Sequence, residues 1–240
     1  MLCFNKVSYS QDIVNRVSYN YNAKISYDLI MLDSISRFIV VKPNTQENAN
    51  AILVKNTTEY QFYKDLINEK IYYNEVFLLP IIPVVDSLNT MKWELIEGIE
   101  KVLNYKCNIA KTIFRGRAYT AYYTIDIPLN NGPGKFGGLP GLILEVYSND
   151  GDYKYVATDV ALNIQEKQTK YKNSFRNYYN KSKFETWSSF VKIFKNRLDN
   201  MLKMEKSEQT EDAKGYPSYF RIDRPEIIYK QAQEGQGVEY

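Results

Sequence analysis

The chain has 240 residues, enough for one domain with a full hydrophobic core, and its formal net charge is only +3. It has no histidine and two cysteines, which excludes His-based catalytic triads, His general bases and His metal ligands and leaves too few cysteines for a zinc site. The composition therefore predicts no metal, no cofactor and no nucleic-acid partner.

Residues 1–11 are similar to the end of a secretory signal peptide. Ser8 and Ser10 are small residues at positions −3 and −1 before Gln11, although the apolar middle of such a peptide is missing. We interpret this segment as a signal-peptide remnant that stays outside the core, and we expect the protein to be periplasmic, outer-membrane-associated or secreted. The alternative is the frayed N-terminus of a cytosolic protein.

The next part of the chain has the pattern of short strands. Residues 17–32 alternate and favour strand formers, Asp33 and Ser34 make a turn, and residues 35–42 return, which predicts a β-hairpin. Further short strands are expected at residues 51–55, 62–67, 70–74 and 77–83. Pro80 and Pro83 confine the last of these to an edge of the sheet.

Strand patterns continue from residue 92 to residue 164. Turns are expected at Glu97-Gly98, at Arg115-Gly116 and at residues 149–152. Because strands and turns repeat without helices between them, the sequence predicts a mainly β fold. We expect one curved antiparallel sheet or half-open barrel of about eight to ten strands.

A loop of unusual composition, residues 131–141, interrupts this pattern. It contains five glycines and two prolines, namely Gly132, Pro133, Gly134, Gly137, Gly138, Pro140 and Gly141. These residues exclude a helix or a regular strand, so we interpret the segment as a structural loop. Its large apolar side chains, Phe136 and Leu139, should anchor it to the barrel or to the helix. A G-x-G-x-x-G spacing is present, but a strand follows it, which excludes a dinucleotide site.

One long amphipathic helix is expected near residues 182–206. Ser182 and Glu185 have the spacing of a capping box before it. Its apolar stripe consists of Trp187, Phe190, Val191, Phe194, Leu198, Met201 and Leu202. We expect this helix to cover the open face of the sheet, and its cationic polar face also fits a helix on a membrane surface. No apolar run is long enough for a membrane-spanning helix.

The predicted domain organisation has three parts. Residues 1–11 are the signal-peptide remnant, residues 12–206 form the β domain with its C-terminal helix, and residues 207–240 form a polar tail. Apolar side chains within the tail could dock part of it, and these are Tyr219, Phe220, Ile227 and Ile228.

The letters G-L-P-G-L-I at residues 138–143 are part of a wider resemblance. Blocks with the same order and spacing lie upstream at residues 93–95, 105–110, 114–117, 120–128 and 132–133. Over roughly residues 17–165 the chain resembles the GLPGLI family of Gram-negative bacteria. Tyr122 stands where that family often has Trp, and Asn108 where it often has Gln. The resemblance implies an exported, β-rich protein of unestablished role, with no catalytic residues to carry over.

The candidate binding residues are two arginines and part of the loop. Arg115 and Arg117 occupy alternate positions beside a turn and could bind an anionic ligand together, or could be exposed or paired with Glu145. The other candidates are Lys135, Phe136 and Leu139. Cys107 is expected to be a small buried residue, and whether it pairs with Cys3 is left open.

Two function hypotheses follow. The first is a non-enzymatic, exported β-domain that binds a cell-envelope protein or a lipid-like, apolar ligand held between sheet and helix. The alternative is an exported hydrolase that uses Asp126 and Glu145, the carboxylates on either side of the loop, as a glycosidase-type pair. Asp126 could equally bond loop amides. If the two carboxylates lay on opposite faces of the sheet, the hydrolase hypothesis would fail.

Overall fold

The computed structural model describes residues 12–43, 61–75 and 81–208. Within these ranges the chain forms a single sheet of 12 strands and two α-helices. The predictions for residues 1–11, 51–55 and 207–240 lie wholly or almost wholly outside the described residues. The mainly β fold is confirmed, whereas the strand count exceeds the expected eight to ten.

The sheet consists of two antiparallel meanders. The first contains β1 (Ile13–Tyr21), β2 (Ile25–Met31), β3 (Ile35–Pro43), β4 (Gln61–Asp65), β5 (Lys70–Glu75) and β6 (Ile82–Ser87). The second contains β7 (Glu94–Val102), β8 (Tyr105–Phe114), β9 (Arg117–Thr124), β10 (Leu142–Ser148) and β11 (Lys154–Gln165). Antiparallel pairing of β1 with β11 joins the two meanders into one open sheet. The order across the sheet is β12-β6-β5-β4-β3-β2-β1-β11-β10-β9-β8-β7.

The sheet is mixed, which corrects the prediction of a purely antiparallel one. Its last strand, β12 (Glu185–Thr186), pairs with β6 in parallel. This short strand lies between two helices, α1 (Thr169–Lys181) and α2 (Trp187–Glu208). The chain therefore passes round the edge of the sheet from one helix to the other.

Two turns differ from the sequence prediction. The single run predicted at residues 17–32 is two strands, because Asn22 and Ala23 form a turn with φ of 46° and 56°. Apolar alternation continues through this turn, so the pattern does not mark it. Glu97-Gly98, predicted as a turn, is instead a β-bulge within β7, where Gly98 has φ of 136°.

The predicted helix is present as α2, but its start and its neighbour were not predicted. The Thr186 hydroxyl accepts a hydrogen bond from the Ser189 N–H at 3.2 Å and caps α2, whereas Ser182 ends α1. The capping box at Ser182 and Glu185 was therefore wrong. The sequence analysis does not predict α1, although aromatic residues recur at helical spacing in it, namely Tyr171, Phe175, Tyr178 and Tyr179.

The two helices cover opposite faces of the first meander. Tyr72 contacts Phe175 of α1, while its neighbour Tyr73 packs in one cluster with Phe190 of α2. Adjacent residues of a strand point to opposite faces, so α1 and α2 must lie on different sides. We call the side that α2 covers the inner face.

Curvature brings strands from distant parts of the sheet together. The main core cluster contains Phe38 of β3 as well as Cys107 of β8. Near the two ends of the strand order, Arg115 of the β8–β9 turn forms an ion pair with Asp86 of β6 at 2.7 Å. The Tyr19 hydroxyl donates to the Ile143 carbonyl at 2.6 Å across the inner face. The interior is therefore filled with side chains from both meanders.

The packing of α2 gives a direct test of this arrangement. Phe190 is fully buried against the inner face, whereas Lys192, two residues later, is exposed. We expect Phe190→Ala to lower the free energy of unfolding by about 3–5 kcal/mol, because it leaves a cavity between helix and sheet. Lys192→Ala should change it by less than about 0.5 kcal/mol. Urea unfolding followed by circular dichroism measures both, and equal effects would contradict the packing of α2.

Candidate functional site

Residues 125–130 connect the end of β9 to the 131–141 loop, which leads directly into β10. The Leu142 N–H donates to the Ile127 carbonyl, and the Ile143 N–H donates to the Asn131 carbonyl, each at 3.0 Å. Within the loop, the Phe136 N–H donates to the Pro133 carbonyl at 3.0 Å. Most of the loop is buried, including Gly132, Pro133, Gly134, Phe136, Leu139 and Gly141.

Two apolar side chains anchor the loop, as the sequence predicts. Phe136 and Leu139 are almost fully buried in a cluster with residues of β8, β9 and β10. The Phe136 ring meets the Tyr119 ring edge-on, with centroids 4.9 Å apart. Their anchoring role is thereby confirmed, while a direct role in binding stays a prediction.

A buried lysine holds the loop from the opposite side of the interior. Lys64 lies on β4 and is 3% exposed. Its Nζ donates to Asn131 Oδ1 at 2.8 Å, to the Gly132 carbonyl at 2.9 Å and to the Phe136 carbonyl at 2.6 Å. An ammonium group has three N–H donors, so these three oxygens satisfy it completely.

The electrostatic state of Lys64 reflects two opposing influences. Burial removes water from the amine and lowers the pKa of Lys64 to about 7. The three accepting oxygens favour the ammonium form, because a neutral amine could donate to only two of them. The hydrogen bonds to the loop therefore stabilise a charge that burial alone disfavours.

Asparagine and tryptophan side chains complete the hydrogen bonding of the loop. Asn131 Nδ2 donates to the Ser36 hydroxyl at 3.0 Å, and Trp93 Nε1 donates to the Gly137 carbonyl at 2.8 Å. At the surface, the Gly138 N–H donates to Asn130 Oδ1. Buried and exposed polar groups of the loop are thus paired with strands β3 and β4 and with the chain before β7.

Lys135 and Arg115 meet at Trp187, the first residue of α2. The Arg115 guanidinium lies 3.8 Å from the centroid of the Trp187 ring, and Lys135 Nζ lies 5.1 Å from it. Lys135 also forms an ion pair with Glu75 at 3.1 Å. These cation–π contacts and ion pairs join the loop, the β8–β9 turn and α2.

Arg117 and Arg115 form ion pairs with different partners. Its guanidinium is buried against the β10–β11 turn, where it forms ion pairs with Asp150 at 2.7 Å and with Asp152 at 3.1 Å. Since Arg115 pairs with Asp86 instead, the structure does not bring the two arginines to one set of partners. Joint binding of an anion by this pair stays a prediction.

The two carboxylates of the hydrolase hypothesis have different surroundings. Glu145 forms an ion pair with Lys154 at 2.9 Å, whereas Asp126 is exposed after the end of β9. No described hydrogen bond joins them to each other. Burial, and to a smaller extent the charges of Glu145 and Asp126, raises the pKa of the Cys107 thiol to about 11. The catalytic role of the two carboxylates stays a prediction.

A cleft of ≈ 220 Å³ opens beside the loop. Its walls combine lysine, asparagine and apolar side chains, among them Lys64, Lys135, Asn89, Asn130, Leu66 and Phe136. None of the described residues that line it is acidic. Two of the predicted binding residues, Lys135 and Phe136, thus meet at one concave surface, whereas Leu139 is buried away from it.

Two further properties concern the described residues as a whole. Within the described ranges, no three His, Cys, Asp or Glu residues lie close enough together to hold a metal ion. Of the two helices that the structure describes, neither is long and apolar enough to cross a membrane.

Part of the chain matches the model of a protein family of unknown function. The model of a family described as "Protein of unknown function (Porph_ging)" matches residues 112–145, which run from β8 through β9 and the loop into β10. The resemblance to the GLPGLI family by name stays a prediction. No curated protein matches the chain.

Two solved structures of PNGF-II share the fold. The structure in space group C2 is 14% identical, with a TM-score of 0.52 over 77% of this chain and 32% of that one. The structure in space group P21 is 14% identical, with a TM-score of 0.53 over 76% of this chain and 33% of that one. The chain thus spans about a third of the length of PNGF-II, and at this identity the likeness concerns the fold alone.

Sequence reasoning missed Lys64, the residue on which the loop depends. The one available signal was its position inside a predicted strand at residues 62–67, between Tyr63 and Asp65. A lysine in a short strand is ordinarily exposed, so the pattern alone gives no reason to bury it.

The tight approach of Gly141 to β9 generates one prediction. A Cβ at this position would lie 2.1 Å from the Thr124 carbonyl oxygen, whereas a Cβ at Gly137 would meet only side-chain oxygens at 3.7 Å. We expect Gly141→Ala to cost about 2–3 kcal/mol of stability, because the backbone must shift. The melting temperature should fall by roughly 5–10 °C.

Gly137→Ala serves as the matched control and should melt within about 2 °C of the wild type. Gly138→Ala should fall between the two, because Gly138 has φ of 89°, where a side chain is strained. Unchanged melting of both the Gly138 and Gly141 variants would contradict the structural role of the loop.

Replacement of Lys64 gives a second prediction. Lys64→Met keeps the length of the side chain but leaves three oxygens without their donor, so we expect a loss on the order of 3 kcal/mol. Lys70→Met, on the neighbouring strand, removes an exposed lysine and should cost less than about 0.5 kcal/mol. Denaturant unfolding at pH 7 compares the two variants.

The pH dependence of the same variant tests the burial of the charge. The folded pKa of Lys64, about 7, lies below the value of 10.5 expected when the chain is unfolded. The unfolded state therefore holds more protons between pH 7 and 10.5, and this group makes the protein more stable as pH rises through that window. The stability difference between wild type and Lys64→Met should widen over this range, and a constant difference would contradict the lowered pKa.

Proposed function

We propose that this protein is a non-enzymatic β-domain of the cell envelope that binds another envelope protein through the cleft beside the 131–141 loop. An acidic side chain or terminal carboxylate of the partner enters the cleft. The observation that carries the proposal is the composition of the cleft: two lysines and two asparagines line it, and no acidic residue does. The asparagine amides can donate to a hydrogen-bond-accepting group, and the two lysines, whose own partners lie within the protein, add electrostatic attraction for a negative charge.

The rigidity of the surroundings supports a binding role. Lys64 is fixed by three hydrogen bonds, and Lys135 is fixed by Glu75 and by the rings of Tyr73 and Trp187. Side chains that are already ordered lose little entropy when a ligand binds. The cleft therefore presents a preformed surface.

A protein partner is favoured over an apolar ligand. The cleft volume of ≈ 220 Å³ is below the range of about 300–1,000 Å³ that small-molecule pockets usually have. The space between α2 and the sheet, where a lipid-like chain was expected, contains Phe190, Phe194 and Leu198 packed against strand residues. A single side chain of a larger partner fits the cleft better than a lipid chain does.

The test compares substitutions at two adjacent positions, Leu66 and Ile67. Leu66 lines the cleft, whereas Ile67 is 75% exposed and does not. We expect Leu66→Trp to fill the cleft and weaken partner binding by about tenfold or more, and Ile67→Trp to bind like the wild type. Capture from the envelope fraction identifies the partner, with proteins and lipids both analysed, and titration of that purified partner measures affinity.

Each outcome of this experiment bears on the proposal. Equal binding of the partner by the two variants would show that the cleft is not the binding site. Recovery of lipid alone would favour an apolar ligand, and conversion of a captured molecule that stops in Asp126→Asn or Glu145→Gln would favour the hydrolase hypothesis. Melting curves of both Trp variants show whether either has lost its fold.

A further inference from the structure

The two edges of the sheet differ in how far other elements cover them. At one end β6 is covered by β12, and α2 packs on the same region. At the other end β7 pairs only with β8 among the strands that the structure describes. An antiparallel edge strand has alternate N–H and C=O groups that point away from its only neighbour.

The edge strand β7 is exposed, and the bulge at Glu97-Gly98 divides it into two short segments. It has nine residues, and all but two of them are exposed. Leu95 and Ile99 are 62% and 64% exposed, which is high for such large apolar side chains. They stand opposite Ala110 and Asn108 of β8, so they lie on the same face.

The other face of β7 carries acidic residues. Glu94 and Glu100 stand opposite Lys111 and Cys107, which share one face of β8. Lys111 can balance Glu94, whereas Glu100 has a neutral residue opposite it. The edge therefore offers an apolar side, which ends at Lys101, and a side on which the two glutamates flank Ile96.

We propose that the outer edge of β7 accepts an extended segment of a partner protein that alternates basic and apolar residues. The segment adds a strand to the sheet through main-chain hydrogen bonds, its apolar side chains cover Leu95 and Ile99, and its basic side chains face Glu94 and Glu100. This surface is separate from the cleft beside the loop.

A second copy of the chain fits this edge less well. Antiparallel pairing of β7 with itself that places Leu95 opposite Ile99 also places Glu94 opposite Glu100. Like charges directly opposite each other are destabilising. Charge complementarity thus favours a basic segment over self-association.

The test uses capped eight-residue peptides that alternate Lys with Val, and matched peptides that alternate Glu with Val. We expect the Lys–Val peptide to bind the full chain at least about tenfold more tightly than the Glu–Val peptide. The Glu94→Lys/Glu100→Lys variant should reverse this preference. Asp33→Lys/Glu69→Lys changes the net charge equally at exposed positions of the other meander and should leave the preference unchanged.

Backbone methylation separates strand addition from simple charge attraction. N-methylation of alternate residues removes the donors on one edge of the peptide only. Methylation in one register should abolish binding, and methylation in the other register should leave it intact. Equal effects of both registers, or no binding of the Lys–Val peptide, would overturn the proposal.

Two controls test whether a second copy of the chain occupies the β7 edge and whether the cleft affects peptide binding. Sedimentation measures whether the wild type dimerises. If it does, and if the Glu94→Lys/Glu100→Lys variant alters that dimerisation, the occupant of the edge is a second copy and the proposal is overturned. Leu66→Trp fills the cleft and should leave peptide binding unchanged. The proposal for the β7 edge and the proposal for the cleft can therefore be contradicted independently.

Discussion

The structure depends on one buried amine, that of Lys64, and on the oxygens that surround it. A charged amine in the interior is tolerated only when its hydrogen bonds are satisfied. The loop supplies all three acceptors, two of them main-chain carbonyls. To turn these carbonyls toward the interior, the backbone must fold back sharply within a few residues, which explains the density of glycine and proline in this segment.

The same loop connects parts of the molecule that the strand order keeps apart. Lys64 lies in the first meander, the loop belongs to the second, and Lys135 continues the connection to Glu75 and Trp187. Arg115 and Asp86 form a second connection close by, at the beginning of α2. Together with the hydrogen bond from the Tyr19 hydroxyl to the Ile143 carbonyl, these contacts connect the two meanders across the interior of the open sheet.

Much of this fold can be predicted from the sequence, because strand alternation, the loop composition and the apolar stripe of α2 are local signals. The burial of Phe136 and Leu139 follows from the same reasoning. The turn at Asn22 and Ala23 could not be predicted, since neither residue breaks the alternation. The role of Lys64 could not be predicted either, because it depends on loop oxygens about 70 residues away in the chain.

The residues that sequence reasoning selected for chemistry are largely occupied by structural contacts. Arg117 pairs with Asp150 and Asp152, Glu145 pairs with Lys154, and Arg115 pairs with Asp86. A catalytic group needs access to a substrate and freedom to exchange a proton, and an ion pair limits both. In the part of the chain that the structure describes, concave and edge surfaces remain where side chains already fixed in place can contact another molecule. Of these ion pairs, Arg115–Asp86 joins the two meanders, whereas the others hold neighbouring strands and a turn of the second meander, so the proposed role in recognition rests on the surfaces rather than on these charges.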